Sequence, residues 1–241
     1  MSEIIKPYDS TKNNKRQQIQ NMFNNIAKSY DILNLIISLG IDKYWRKKTI
    51  KALHNEPKTL LDIATGTADL AIVAAKYTKA KITAIDISEE MLNISQQKIK
   101  YKKLNDRINL THADCEDLPF NNEMFEAATV GFGVRNFQNI QRGLQEINRV
   151  LKKDGSLVIL EPSKPRMYIL SKLHNLYLKY FLPLMGRLIA KDVQAYTYLT
   201  NSIEAFPTRE EFCEEIRKAG FKSPEYISLT FGVAAIYTAI K

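Results

Sequence analysis

Short apolar runs along the chain alternate with longer stretches in which apolar positions return every three or four residues. The first kind reads as buried strand, the second as amphipathic helix. Helical spacing comes first. Ile19, Met22, Phe23 and Ile26, then Ile32, Leu35, Ile36 and Leu39, predict a helix from Lys15 to Leu39 that Gly40 breaks. Asp42 is placed to cap a second helix reaching about His54, with Trp45 on its inner face. Strands are expected at Thr59–Ala64, Lys81–Asp86, Ile108–His112, Phe125–Gly131 and Ser156–Glu161, the last preceded by a Lys152–Gly155 turn. Between them lie a helix over Ala68–Tyr77, one capped by Ser88 with Met91, Leu92 and Ile99 turned inward, and one over Asn139–Leu151. Ser163 to Phe206 interrupts this rhythm with helical spacing alone, through Leu170, Leu173, Leu176, Tyr177, Tyr180, Phe181, Leu184 and Leu188. A capped helix at Thr208–Ala219 and closing strands at Tyr226–Thr230 and Ala234–Ile240 complete the chain. The alternation predicts a doubly wound α/β sheet. Residues 1–241 are read as one domain, with 1–56 as an N-terminal helical extension and 163–206 as a helical cap inserted after the fifth strand.

Candidate chemistry gathers where the first strand ends, in Leu60-Leu61-Asp62-Ile63-Ala64-Thr65-Gly66-Thr67-Ala68-Asp69-Leu70. An apolar run, a turn at Gly66 and a helix start make a ligand-binding edge. Asp86, twenty residues past Gly66 at the end of the second strand, is placed to take ribose hydroxyls. The turn has one glycine where a dinucleotide fingerprint has three, and Asp62 and Asp69 flank it. Carboxylates repel a pyrophosphate and suit a ligand carrying an ammonium and a sulfonium. The stretch therefore favours S-adenosylmethionine over a dinucleotide. An ordinary strand-turn-helix with solvated acids is the plainer alternative.

Composition narrows the setting. The 241 residues are 45% hydrophobic and 25% charged, enough for a packed core. No apolar run is long enough to span a bilayer, and the polar start, Met1 to Gln20, lacks a signal-peptide core. Two cysteines, Cys115 and Cys213, fit a reducing cytoplasm, and His54, His112 and His174 are too scattered for a metal site. The net charge of +9 is compatible with nucleic acid, an anionic membrane surface or a solvated lysine-rich background, although Lys43, Arg46, Lys47, Lys48 and Lys51 crowd one segment. The aromatic 163–206 segment is read either as a wall for an apolar substrate in touch with lipid or as ordinary helix packing, since periodicity does not separate them.

Four further stretches stand in order: Phe23-Asn24-Asn25-Ile26-Ala27-Lys28-Ser29-Tyr30-Asp31-Ile32-Leu33-Asn34, Gly133-Val134-Arg135-Asn136, Glu161-Pro162-Ser163-Lys164-Pro165, and Leu229-Thr230-Phe231-Gly232-Val233-Ala234-Ala235-Ile236-Tyr237. With the Asp62–Gly66 turn, Asp86, and Asp114 before Leu118-Pro119-Phe120, the chain from about Met22 to Lys241 resembles the class I S-adenosylmethionine methyltransferases, specifically the ubiquinone/menaquinone biosynthesis C-methyltransferases. The resemblance implies a Rossmann-like, seven-stranded, mostly parallel sheet with helices on both faces. It implies that Asp62, Gly66, Thr67, Asp86, Asp114 and Cys115 bind S-adenosyl-L-methionine: Thr67 at the methionine part, Asp86 at the ribose, Asp114 and Cys115 at the adenine edge. Thr67 is equally a helix cap by position, and Cys115 equally a small apolar filler. Ala68 stands where the family has a second glycine, which expects a backbone without positive φ there. Asp42 stands where many members have histidine.

The implied reaction is methyl transfer to a ring carbon of a prenylated quinol, demethylmenaquinol to menaquinol, with the benzoquinol of ubiquinone synthesis as the alternative. Arg135 is the candidate catalytic residue, holding a phenolate oxygen or ordering a water, and Tyr30 and Asn34 line the substrate pocket beside it. A loop salt bridge is the plainer role for Arg135. No metal and no nucleic acid are expected: Gly131-Phe132-Gly133-Val134 stands where base-amine methyltransferases carry an Asn/Asp-Pro-Pro-aromatic loop. A cofactor-binding protein without catalysis is the rival from another class. A cytoplasmic protein touching an anionic membrane surface is expected, and the oligomeric state is left open, a homodimer included.

Overall fold

The computed structural model of the protein describes residues 5–8, 13–165, 172, 176–177, 180 and 193–241. Helix α1 (Lys15–Ser38) begins with a reciprocal cap: the Asn14 side chain accepts from the Gln17 amide at 2.9 Å, and the Gln17 side chain accepts from the Asn14 amide at 3.3 Å. It stops where Leu39 and Gly40 turn left-handed, at φ 51° and 74°. Helix α2 (Asp42–Lys51) follows at once and ends short of the expected His54.

Seven strands then form one sheet: β1 (Thr59–Ile63), β2 (Lys81–Asp86), β3 (Ile108–His112), β4 (Phe125–Gly131), β5 (Leu151–Pro162), β6 (Lys222–Leu229) and β7 (Ala234–Ile240). Their order is β3-β2-β1-β4-β5-β7-β6. Only β7 runs antiparallel to its neighbours. The helices between are α3 (Asp69–Tyr77), α4 (Glu89–Tyr101), α5 (Ile140–Val150), α6 (Val193–Ala205) and α7 (Arg209–Lys218). This is the mostly parallel, doubly wound sheet the alternation predicts, and the bounds of β2, β3, β4 and β7 coincide with expectation.

Successive side chains of the central strands point to opposite faces, and both sets are apolar because both faces are covered. Leu61 and Ile63 of β1, Ala128 and Val130 of β4, and Leu157 and Ile159 of β5 join Leu144 and Ile147 of α5 and Phe212 and Ile216 of α7. The opposite face takes Leu60, Ile82 and Ala127 against α3 and Ile99 of α4, while Trp45 of α2 packs on Val158 and Leu160 of β5. A third cluster belongs to the helical cover: Ile19, Met22, Ile26 and Leu33 of α1 meet Ala195, Tyr198 and Ile203 of α6, with Met91 of α4.

Several local expectations are corrected. Asp42 is not a cap: Ile41 occupies that position without a side-chain bond. The buried Asp42 carboxylate accepts from Ser38 Oγ at 2.7 Å and pairs with Arg46 one turn on. Strand β5 begins at Leu151, so the expected Lys152–Gly155 turn is an irregularity within the strand, with Asp154 at φ 61°. Leu92 is only half-buried. Of the expected 163–206 cap, α6 is described as helix, whereas Leu170, Leu173, His174, Phe181, Leu184 and Leu188 lie outside the described residues. Ala68 is left-handed at φ 64° and fully buried, so the turn keeps a glycine-like geometry with an alanine in it.

Strain and packing oppose each other at that alanine. A left-handed alanine costs about 1–2 kcal/mol, and a buried methyl contributes about 0.8 kcal/mol. Ala68→Gly is therefore expected to shift unfolding stability by no more than about 1 kcal/mol. Ala68→Val, branched at Cβ in a filled space, is expected to lose about 2 kcal/mol or more. Urea titrations of both variants check this.

Candidate active site

The carboxyl ends of β1 to β4 surround a small cavity of about 70 Å³. Ala64 and Gly66 line it after β1, Asp86 and Ile87 at the end of β2, Asp114 and Cys115 after β3, and Gly131 to Gly133 after β4, while α1 closes it with Arg16, Phe23 and Tyr30. The turn beneath holds its shape through backbone bonds. The Gly66 amide donates to Asp86 Oδ2 at 2.8 Å, and the Gly66 carbonyl accepts from Ser95 Oγ at 2.7 Å. Close approach also demands glycine at 133, where a Cβ would meet Ala64 Cβ at 2.6 Å.

Each predicted cofactor residue has a definite place. Asp86 accepts from the Gly66 amide at Oδ2 and from the Ser88 amide at Oδ1, both at 2.8 Å. Burial raises its pKa, and these amides together with that of Ile87 oppose the rise. Asp114 accepts from the Glu116 amide at 3.0 Å and pairs with Arg16 at 2.8 Å. Burial, then the nearby carboxylates of Asp114 and Glu116, push the Cys115 thiol well above its usual range, so it stays a neutral, apolar contact.

Asp62 and Thr67 line neither this cavity nor the larger one. Asp62 is fully buried, and its two oxygens accept from Thr65 and Thr129 hydroxyls, both at 2.6 Å, tying the end of β1 to β4. Burial lifts its pKa to about 6 against the pull of the two hydroxyls. Thr67 is not a helix cap; Ala68 holds that position. The Thr67 hydroxyl instead donates to Asp31 of α1 at 2.6 Å, and Lys98 of α4 reaches Asp31, Thr67 and Asp69 at 2.8, 3.0 and 2.5 Å. Both residues thus brace the turn from behind.

A second cavity, about 440 Å³ and lined mostly by apolar side chains, lies between α1, α2, α6 and the loop after β4. Phe23, Tyr30, Phe132 and Asn136 line both cavities and so form the wall they share. Tyr30 stacks edge-on against Phe23, with ring centres 6.0 Å apart, and Asn34 lines the larger cavity one turn further on. Arg135 lines the larger cavity only. Its Nη1 donates to Glu161 Oε2 at 2.9 Å and to the Phe132 carbonyl, while its buried Nε has no partner. Glu161, fully buried at the end of β5, also accepts from the Val134 amide at 2.7 Å. Burial raises the Glu161 pKa, and Arg135 opposes that. Asn136 accepts from the Tyr198 hydroxyl of α6 at 3.2 Å.

Sequence reasoning brought Tyr30, Asn34 and Arg135 together and missed Glu161, Arg16, Lys98 and Tyr198. Glu161 carried a signal: like Asp62 and Asp86 it ends or interrupts an apolar strand, and a buried carboxylate needs a cation or a set of donors. The other three reveal themselves only through distant partners.

Comparison with known proteins places the chain in a family. The profile of the ubiE/COQ5 methyltransferase family matches residues 11–241. The demethylmenaquinone methyltransferase of Porphyromonas gingivalis is 43% identical over 242 residues, 99% of this chain and 98% of that one. The ubiquinone/menaquinone biosynthesis C-methyltransferase UbiE of Geotalea daltonii is 40% identical over 230 residues, 94% and 97% of the two chains. Among solved structures, a SAM-dependent methyltransferase of Thermotoga maritima superposes with a TM-score of 0.66 at 19% identity over 92% of this chain and 99% of that one, a likeness of fold.

The buried Asp62 gives a pH test. Its folded pKa of about 6 lies above the unfolded value. Between about pH 4 and pH 6 the folded state binds the proton more tightly. This residue's contribution therefore falls as pH rises through that window, by up to about 3 kcal/mol. Asp62→Asn is expected to flatten that part of the stability profile, measured by denaturant unfolding from pH 4 to 7.5. Parallel profiles for the two proteins would contradict it.

Proposed function

The chain belongs to the ubiE/COQ5 methyltransferase family, and from that membership we propose that it methylates a ring carbon of a prenylated hydroquinone, converting demethylmenaquinol to menaquinol. It is an S-adenosylmethionine-dependent C-methyltransferase of quinone biosynthesis. The menaquinone precursor is preferred over the benzoquinol of ubiquinone synthesis because the more similar of the two relatives above carries the demethylmenaquinone name alone. The whole chain acts as one domain, with residues 1–56 and 163–206 as its cover.

The small cavity fits the cofactor chemically. A buried carboxylate in the cavity wall suits a ribose diol, and the acidic lining of Asp86, Asp114 and Glu116 suits a cationic ligand. In this reading Gly66 and Asp86 hold the sugar end, Asp114 and Cys115 the adenine edge, and Asp62 and Thr67 keep the turn in shape. When bound, S-adenosylmethionine supplies an electrophilic methyl group on a sulfonium.

The observation that carries the reading is Arg135. A guanidinium lines an apolar cavity with one edge committed to Glu161 and the Phe132 carbonyl and a buried Nε without a partner. A phenolate oxygen beside Arg135 is stabilised by the guanidinium charge when the quinol hydroxyl gives up its proton and the ring carbon becomes nucleophilic. Arg135 stays charged throughout, so it holds the oxyanion or orders the water that takes the proton. Tyr30 and Asn34 position the ring, and the apolar lining excludes water and accepts the start of the prenyl tail. Such a tail keeps the substrate in a bilayer, so the enzyme works as a cytoplasmic protein at the membrane surface. Among the described residues no helix is long and apolar enough to cross a membrane.

Purified protein given labelled S-adenosylmethionine with reduced demethylmenaquinone, benzoquinol or RNA in separate reactions is expected to label the first, at a ring carbon. Label in RNA alone would overturn the proposal. Arg135→Ala is expected to lower kcat about 10²–10³-fold, and Arg135→Lys, which keeps a cation beside Glu161, to restore part of it with little change in KM for the cofactor. Full activity in Arg135→Ala would remove the residue from the mechanism.

A further inference from the structure

Around the mouth of the larger cavity the protein exposes apolar side chains that it has no internal reason to expose. On α1, Ile32, Leu35 and Leu39 are solvent-facing at positions i, i+3 and i+7, one stripe of a helix. Beyond them Ile41 and Tyr44 are exposed, and Phe231 stands out from the turn between β6 and β7. Leu39 and Phe231 are 78% and 77% exposed, and both line the cavity. Both also hold left-handed backbone, φ 51° and 57°, each just before a left-handed glycine, Gly40 and Gly232. Two large apolar residues are thus held in strained turns and presented to solvent on either side of one opening. Strain of this kind, retained where it exposes rather than buries apolar area, marks a working surface.

The exposed charge of the Lys28–Lys51 segment is mostly positive. Lys28 heads the α1 stripe, four residues before Ile32, and α2 exposes Lys43, Lys47, Lys48 and Lys51. The acids of the Lys28–Lys51 segment are Asp31, paired with Lys98, and Asp42, buried against Arg46. Apolar prongs backed by lysines without free carboxylates match an anionic lipid surface, where the side chains enter the acyl boundary and the ammonium groups stay at the headgroups.

We propose that Ile32, Leu35, Leu39, Ile41, Tyr44 and Phe231 form a bilayer-docking rim, with Lys43, Lys47 and Lys48 as its anionic-lipid contacts. The rim sets the mouth of the apolar cavity on the membrane. A prenylated quinol then passes from lipid to Arg135 without its tail crossing water. Leu39 and Phe231 act as the two jaws of that opening. This inference rests on the prenylated-quinol reading and adds the face and the residues by which the enzyme meets its substrate.

The test uses the full chain and large vesicles of phosphatidylcholine alone or mixed equally with phosphatidylglycerol, without substrate. Co-sedimentation is expected with the anionic vesicles and to fall with added salt. Replacing Lys43, Lys47 and Lys48 together by Gln is expected to weaken it about tenfold or more, with turnover of a short-chain, water-soluble quinol unchanged. Phe231→Trp is expected to show fluorescence quenched by lipids brominated along the chain, with wild-type Trp45 as the control. Binding indifferent to lipid charge, or Phe231→Trp unquenched, would overturn the proposal. So would a stable dimer in sedimentation velocity that Phe231→Ser dissociates, since the rim is then a protein interface. A protein that binds the vesicles but methylates no quinol refutes the substrate reading alone; one that methylates the soluble quinol but ignores the vesicles refutes the docking rim alone.

Discussion

A guanidinium withdrawn from water must find a counter-charge, and Arg135 finds it in Glu161, fully buried at the end of β5. Losing one partner of such a pair costs about 3–5 kcal/mol because the other is left charged in an apolar setting. The pair does more than neutralise itself. Glu161 also takes the Val134 amide, and Arg135 takes the Phe132 carbonyl, so one ion pair fixes the backbone of the loop that follows β4. Phe132 and Asn136 of that loop belong to the wall between the two cavities. The partition between a polar cavity over the strand ends and an apolar one under the helices therefore depends on this contact.

The cover is held by a second polar system of a different kind. Lys98 draws together Asp31 of α1, Thr67 of the first turn and Asp69 of α3, while Arg46 of α2 pairs with Asp42 and lies 3.7 Å from Asp69. Helices α1 to α4 thus meet beside the Gly66 turn, and Asp42 and Arg46 of this network also line the larger cavity. The helical extension and the first strand-turn-helix are consequently one mechanical unit.

What could be read from the sequence is what short-range physics decides. Short runs between helical stretches mark β2, β3 and β4 at their observed bounds, and Ser88 and Thr208 cap the expected helices. What the sequence hid is where polar side chains find distant partners. Asp42 suggested a cap and instead serves Ser38 and Arg46; Thr67 suggested a cap, a place that Ala68 takes, and its hydroxyl serves Asp31. Ala68 breaks the local rule outright, holding positive φ in a buried turn. That conflict sits at the cofactor edge, where tertiary packing overrides backbone preference. Asp86 is readable because it ends a strand, whereas Asp114, Cys115, Tyr30 and Asn34 come from the family resemblance.

The central claim is a division of labour: the acid-lined cavity holds the cofactor, and the Arg135 side of the shared wall serves the substrate. Calorimetric titration of S-adenosylmethionine into wild type, Asp86→Ala and Arg135→Lys, which keeps a cation beside Glu161, tests it most directly. Asp86→Ala is expected to weaken cofactor binding about tenfold or more, while Arg135→Lys binds the cofactor as wild type does. Equal losses in the two variants, or normal affinity in Asp86→Ala, would contradict it.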